Sequence, residues 1–466
     1  MKKKILLLAD DLRIPSGIGT MSKSFVMNSL KDYNWIQLAG AVKHPEVGKV
    51  VDMSEAMAKE TGVEDASVLL YAVDGYGNPD ILRAVIAKEK PDAILHFTDP
   101  RFWGWLYDME HELRQNIPIM YYNIWDDLPF PHWNESAYES CDMLMAISQQ
   151  TYNINKNVCV RKPRIEGKDL TYVQHGIDQN VFKPLPKDDP NLIEFKKKLF
   201  GDKNYDYVAL FNSRNIIRKH PADLISAFNS FILTLPEKAR EKTALVLHTD
   251  IVDNAGTDLK AVAHKLAGDA NIIFSTGKLE PGQLNCMYNI ADVMCNPSSA
   301  EGFGLTHMEA IMSGTPTIAS VIGGLQDQMG FTINDRPMSI EDFTAEIPSN
   351  STGKISQEHG EWVYPLWPQV ALQGSPATPY IYDSRVSLDQ ITKGLTYWYK
   401  MGEEIRAEKG LIGRNWAIKN KFTSKGMTEA MTNSINTCLE TWTPRTKFEL
   451  INASQMPAKA ASGVLA

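Results

Sequence analysis

Residues 296–325 read NPSSAEGFGLTHMEAIMSGTPTIASVIGGL. Two carboxylates, Glu301 and Glu309, bracket a turn of Gly302, Phe303, Gly304 and Leu305. Met308, Ile311 and Met312 recur at helical spacing, which predicts a helix from near Leu305. Gly314 and Pro316 end it, and 317–322 follows as a short apolar, strand-like run. A glycine-bearing turn that feeds a helix start leaves backbone N–H groups pointing outward, where the helix dipole favours an anion. The glycines let a phosphate approach the backbone closely. Glu309, about two helical turns on, can accept hydrogen bonds from sugar hydroxyls. An ordinary surface loop before an amphipathic helix is the other reading of so short a glycine motif.

Outward from this stretch, strand-like and helical runs alternate in both directions. On the near side, apolar runs at 207–212, 244–248, 271–274 and 293–296 alternate with helical patterns at 223–235 and 284–290. The run at 207–212 ends in SRNIIRKHP (213–221). Arg214 and Lys219 are expected to converge at that strand tip, one as a bidentate fork and one as a point charge for a pyrophosphate; solvated surface charge is the alternative. Towards the N-terminus, strands are expected at 5–9, 36–42, 68–72, 91–97, 119–124, 143–147 and 171–174. The loop DDLRIPSGIGT (10–20) carries Gly17 and Gly19 before a helix. Ser22 stands where a dinucleotide G-x-G-x-x-G would need its third glycine. The alternation implies an α/β fold of two Rossmann-like domains facing a cleft.

The chain has 466 residues, too many for one ordinary core. With 43% hydrophobic and 22% charged residues it reads as a soluble globular protein, and its formal net charge of -8 argues against a generally basic, nucleic-acid-coating surface. The five cysteines lack metal-like spacing and suit reduced thiols in a cytoplasm. Lys2–Lys4 precede an apolar run that Asp10 and Asp11 cut too short for a signal peptide, and no segment reaches transmembrane length.

The 301–309 stretch resembles the E-x7-E region of retaining GT-B glycosyltransferases, the glycogen-synthase-like family 4. That resemblance implies a nucleotide-sugar donor, with UDP-sugar foremost, held without metal or other cofactor. Glu301 would face the donor sugar, Glu309 the nucleotide ribose, and the Gly302–Leu305 amides, Arg214 and Lys219 the diphosphate. Gly17 and Gly19 match the family's N-terminal loop, which touches donor phosphate or acceptor. His175-Gly176-Ile177-Asp178 with Phe182 and Pro184 resembles the family's inter-domain linker. It places an acceptor domain at 1–185, a donor domain at 186–415 with an irregular insertion at 330–383, crossing-back helices at 416–450 and a mobile tail at 451–466. The resemblance covers about 1–325 and 385–442. Retention of configuration is inherited from it and is not visible in the residues.

In the frame His-x-His-acid-Pro that relatives carry at a first-domain strand tip, His96 takes the first slot. Thr98 replaces the sugar-contacting histidine, and Asp99-Pro100 fit. Asp99 is therefore a candidate sugar contact or general base, and His96 equally a satisfied strand-end histidine. Trp125–Trp133, rich in aromatics and acids, is a possible acceptor wall or plain loop packing. The segment LADDLRIPSGIGTMS also looks like phage-encoded members of the family, whose acceptors include hydroxymethylated DNA bases. The basic run Lys156, Arg161, Lys162, Arg164 and Lys168 could meet DNA phosphates, or be a solvated loop. A sugar, glycan or small-molecule acceptor is the alternative, and a non-catalytic nucleotide-sugar-binding protein is the competing class.

Overall fold

The computed structural model describes residues 2–41, 43–268, 270–343 and 358–446. Its strands are, in chain order, β1 (Lys3–Asp10), β2 (Tyr33–Gly40), β3 (Val50–Asp52), β4 (Val68–Ala72), β5 (Ala93–Phe97), β6 (Ile119–Asn123), β7 (Met143–Ala146), β8 (Leu170–Tyr172), β9 (Tyr207–Asn212), β10 (Thr243–His248), β11 (Asn271–Ser275), β12 (Val293–Asn296), β13 (Thr317–Ser320), β14 (Thr332–Ile333), β15 (Arg336–Pro337), β16 (Val363–Leu366), β17 (Gln369–Ser375) and β18 (Thr378–Arg385). One sheet runs β3-β4-β2-β1-β5-β6-β7-β8, the other β11-β10-β9-β12-β13-β16. Every pairing in the two sheets is parallel except β3 with β4.

Continuous apolar strands explain this arrangement. Ile5–Ala9 and Leu210 with Ala209 are fully buried, so both sheet faces must be covered by helices. In each half the chain begins in mid-sheet, moves outward, then returns to the other side of its first strand. The reversals fall between β1 and β5 and between β9 and β12. Crevices open beyond the strand ends at such points. The loops after β9 and β12 are thus brought side by side although about 80 residues apart in sequence.

The linker 176–184 passes between the halves, and the chain later crosses back beside it. A helix Leu388–Lys419, interrupted at Gly402 with φ +75°, leads to helix Ser424–Thr441 on the first half. There Asn436 Oδ1 accepts from Tyr33 Oη at 2.8 Å, and Ser434 Oγ donates to Thr171 Oγ1 at 2.9 Å. The two crossings pair: Ile177 N–H donates to Phe422 O at 3.1 Å and Ser424 N–H to Ile177 O at 3.1 Å. Arg414 donates to the carbonyls of Phe182, at 2.7 Å, and Gln179, at 2.9 Å. The expected crossing-back helices are therefore present.

The described residues of the 330–383 segment, 330–343 and 358–383, are more regular than expected. They supply β16, the edge strand of the second sheet, and the antiparallel ribbon β17–β18. Pro365 and the exposed, Gly- and Pro-punctuated ribbon hid this from periodicity. The expected strand at 36–42 begins earlier, at Tyr33, and β3 with helix Ser54–Thr61 was not anticipated. The expected tail at 451–466 lies outside the described residues. Among the described residues no helix is long and apolar enough to cross a membrane.

A Cβ on Gly176 would stand 2.1 Å from Thr423 O. Gly176→Ala is therefore expected to lose about 1–3 kcal/mol of stability through overpacking. Urea denaturation checks this, and an unchanged midpoint would mean the two crossings do not touch.

Candidate active site

The helix expected from near Leu305 spans Leu305–Met312, with Gly304 at φ +90° as its N-terminal neighbour. A side chain at Gly304 would meet Leu325 Cδ2 at 2.4 Å as well as strain the backbone. The turn is held from below by residues 323–328. Gly324 N–H donates to Glu301 O at 2.9 Å, and Gln328 Nε2 donates to Phe303 O at 2.6 Å. Gln328 Oε1 is then an acceptor for His307 Nδ1 at 2.8 Å, while His307 Nε2 meets Thr317 Oγ1 at 2.9 Å. Burial pushes His307 down to about 4, so it stays neutral and this network carries no charge.

After β9 the chain makes a single turn, Ile217–Lys219, which carries the Lys219 side chain inward. Lys219 Nζ meets Glu301 Oε1 in a short ion pair, with the residues only 6% and 8% exposed. Ser298 Oγ donates to the same oxygen at 3.2 Å. Burial pushes the Glu301 carboxyl up, but Lys219 and Arg218 outweigh it and hold the group below its ordinary range. For Lys219 burial wins over the partner and lowers the amine to about 8. At neutral pH the pair is ionised.

Arg214, from the same loop as Lys219, has a different partner. It is two-thirds exposed and pairs with Asp253 at 2.8 Å, beside the loop after β10. The second cation at Glu301 is Arg218, with Nη1 3.9 Å from Oε2 and a hydrogen bond to Ala300 O. In this structure, then, Arg218 is the cation beside Glu301 and Lys219, while Arg214, from the same loop, pairs with Asp253. In so tight a turn, successive side chains diverge, so spacing alone could not choose between the cations.

Glu309 is half-buried and accepts from Tyr288 Oη at 2.6 Å, which in turn accepts from Asn212 Nδ2 at 2.7 Å. Burial raises its carboxyl to about 7. Tyr288 lies on helix Pro281–Ile290, and sequence reading had not singled it out.

From the first half, helix Gly17–Asn28 starts opposite this turn. Its cap Ser16 accepts from Gly19 N–H at 2.9 Å and donates to Asp10 Oδ2 at 2.8 Å. A Cβ on Gly17 would lie 3.5 Å from Leu305 Cδ1, so two helix starts face each other. A Cβ on Gly19 would instead strike Ile14 O at 2.6 Å, so Gly19 serves the loop's own packing. The loop after β6 also reaches the turn: a Cβ on Gly302 would stand 2.9 Å from Ile124 O, and one on Gly323 3.7 Å from Asp126 Cβ. Burial raises Asp126, while Arg218 and Lys219 pull it down and Glu301 pushes it up. This carboxyl faces the pair across the cleft, a role the sequence reading had not assigned.

Asp99 caps the turn Pro100–Phe102 and is gripped by Arg101, which donates through Nε at 3.0 Å and Nη2 at 2.5 Å. Both carboxylate oxygens are taken up by Arg101, so Asp99 would have to leave this partner to reach an acceptor hydroxyl. His96 is buried, with Nδ1 2.6 Å from Tyr107 Oη, and burial lowers it to about 3. It is a core histidine. Among the described residues no group of His, Cys, Asp and Glu is arranged to hold a metal ion.

A double-mutant cycle tests the pair. Lys219→Met and Glu301→Gln are each expected to destabilise by about 3–5 kcal/mol, because each strands a buried partner charge. The double variant should recover much of that loss, and strict additivity in thermal or urea unfolding would show that the two groups do not interact.

Residues 192–334 match the family model described as glycosyl transferases group 1. The D-inositol 3-phosphate glycosyltransferase of Salinispora arenicola is 30% identical over 156 residues, 33% of this chain and 34% of that protein. The mannosylfructose-phosphate synthase of Agrobacterium fabrum is 28% identical over 192 residues, 40% of this chain and 39% of that protein. The chain thus spans little more than a third of the length of these relatives. The crystal structure of Anabaena HepE in complex with UDP and glucose superposes with TM-score 0.63 at 15% identity, covering 93% of this chain and 99% of that one. The described fold is that of GT-B glycosyltransferases, and residues 192–334, which contain the Lys219–Glu301 pair, carry the group 1 glycosyltransferase pattern.

Proposed function

We propose that the protein is a retaining glycosyltransferase that moves a sugar from a UDP-sugar to an acceptor hydroxyl. The observation that carries this reading is the buried Lys219–Glu301 pair, set at one helix start and facing another across the cleft. Two helix starts and two cations converge where a departing diphosphate would develop charge. Preorganised donors and cations aimed at such charge are among the largest contributions to catalysis. Lys219, Arg218 and the turn's amides would supply that neutralisation themselves, so the reading needs no metal. A UDP donor has support from the similar fold of HepE, crystallised with UDP and glucose.

In this reading Glu301 stands beside the donor sugar and Glu309 receives the ribose hydroxyls. The bond from the anomeric carbon to the diphosphate oxygen breaks as the acceptor oxygen bonds to that carbon on the same face. The departing phosphate oxygen takes the acceptor's proton, and the protein positions and stabilises. Five buried cysteines without disulfides fit a cytoplasmic setting.

For the acceptor, the basic run that a hydroxymethylated-DNA reading would use keeps Lys156, Arg161, Lys162 and Lys168 exposed but not Arg164. Arg164 is buried and donates to Tyr138 O and, at 3.1 Å, to Cys141 O. Arg161 lies 3.4 Å from both Glu135 and Glu139. The acceptor side of the cleft instead presents Asp99, Asp126 and Asp127. Paired cations and an acidic rim favour a hydroxylated small molecule or glycan over a polyanion. Incubation of labelled UDP-sugars with hydroxymethylated DNA and with a sugar panel separates the two: label in DNA alone reverses this preference.

Calorimetric titration with UDP tests the donor reading. Micromolar-range binding is expected, and Lys219→Ala and Glu309→Ala should each abolish transfer while keeping the fold; wild-type turnover in both would sink the site. A pH series adds a sign. Glu309 holds its proton below about 7. The ribose hydroxyls need the ionised form as acceptor, so UDP affinity should fall on acidification through that range, by at most about tenfold per pH unit. Glu309→Gln should flatten the profile, and a persisting slope would place the titration elsewhere.

A further inference from the structure

The ribbon β17–β18 belongs by sequence to the second half, between β16 and helix Leu388–Lys419, yet it docks on the first. Tyr382 N–H donates to Leu128 O at 2.8 Å, and Tyr380 Oη donates to Phe130 O at 3.2 Å. The Tyr380 and Trp133 rings meet edge-on at 4.6 Å. Arg101 Nη1 donates to Thr378 Oγ1 at 2.7 Å while its guanidinium lies 5.4 Å from the Trp125 ring. Ile381 and Tyr382 pack against the first half's aromatic core around Trp103 and Trp125. At the other end Arg385 donates to Asp223 at 2.6 Å, four residues beyond Lys219.

The ribbon therefore stretches from the cation-bearing loop after β9 to the tips after β5 and β6. Those tips carry Asp99 with Arg101, and Trp125 with Asp126. Its inner strand β18 makes these contacts, and its outer strand β17 is exposed along its whole length. Both chain crossings lie elsewhere, at the linker and the last helices. The ribbon is thus a further bridge between the halves, beside the tips where an acceptor would enter.

We propose that this ribbon is the acceptor-side positioning element: through Tyr380 and Thr378 it holds the 99–103 and 125–133 loops in place over the donor pair and keeps bulk water from the anomeric carbon. The proposal rests on the nucleotide-sugar reading above. Tyr380 and Thr378 touch the loops, not the reacting atoms. Water that enters the cleft can replace the acceptor. Its oxygen bonds to the anomeric carbon, the bond to the diphosphate breaks, one water proton passes to the departing phosphate, and free sugar and UDP result. Closure that expels water suppresses this side reaction, so hydrolysis reports how well the mouth is shut.

The test uses the full chain and whichever of UDP-glucose, UDP-galactose or UDP-N-acetylglucosamine binds tightest, with no added acceptor. Sugar release and UDP affinity are measured for wild type, Tyr380→Ala, Thr378→Val and Tyr380→Phe. Tyr380→Ala should raise release about fivefold or more with UDP affinity within about twofold of wild type. Thr378→Val should act in the same direction, and it decides the matter if Tyr380→Ala does not fold. Tyr380→Phe, which keeps the ring against Trp133 but loses the hydrogen bond to Phe130 O, should fall between wild type and Tyr380→Ala. Release at or below the wild-type rate with UDP affinity intact overturns the proposal. So does loss of UDP binding in a folded ribbon variant, since the ribbon would then belong to the donor grip. A wild type that binds no UDP fails the donor reading instead, and is told apart by that titration alone.

Discussion

A lysine and a glutamate buried against each other set the terms for the centre of this molecule. Removing two charges from water costs several kcal/mol each, and mutual attraction recovers that only with close geometry and further hydrogen bonds. Lys219 and Glu301 have both: direct contact, Ser298 on the same oxygen and Arg218 behind. Close geometry in turn requires the loops after β9 and β12 to be neighbours, which the reversal of strand order between them provides. A hydrophobic pair would fill the same space at lower cost, so the charges point to a task in which an anion arrives beside them.

The first half is built around the same turn. Phe303, in the middle of it, packs at 5.2 Å against His175 of the linker and at 6.1 Å against Phe422 of the crossing-back segment. His175 is fixed by Tyr122 Oη at 2.9 Å, and burial lowers it to about 3, so it acts as a neutral ring. Asp327, one residue before the Gln328 that supports Phe303, reaches the other half. It accepts from Gln149 N–H and Tyr172 Oη, each at 2.9 Å. A carboxylate of the second half therefore sits at a helix start of the first, where the dipole favours it. Any change in the angle between halves is felt within one or two residues of the donor turn.

What the sequence disclosed follows from this economy. The turn before Leu305, its helix and Glu301 are local: glycine geometry and helical periodicity are written in consecutive residues. The linker was legible because His175, Gly176, Phe182 and Pro184 act within ten residues. That Arg218 also lies beside Glu301 was not legible, since it depends on a turn whose direction is set by distant contacts, including Ile217 N–H to Ala255 O at 2.9 Å. Asp126 was legible as one acid of the Trp125–Trp133 strand end, but not as facing the pair, because its neighbours across the cleft lie far along the chain. β16 escaped because its pattern is interrupted by Pro365, which an edge strand tolerates and a central strand would not.

The two sides of the cleft are therefore made by different means. In the proposed reading, donor recognition would use backbone at helix starts and one ion pair, elements that tolerate change around them provided the glycines and two charges stay. Acceptor recognition would use side chains at the ends of β5 and β6, joined by a ribbon from the other half, and none of these is specified by local spacing. A chain of this architecture can thus keep one donor chemistry while the contacts of Arg101, Trp133 and Tyr380 are redrawn, and the acceptor must be sought in those contacts rather than in the motif that identifies the donor.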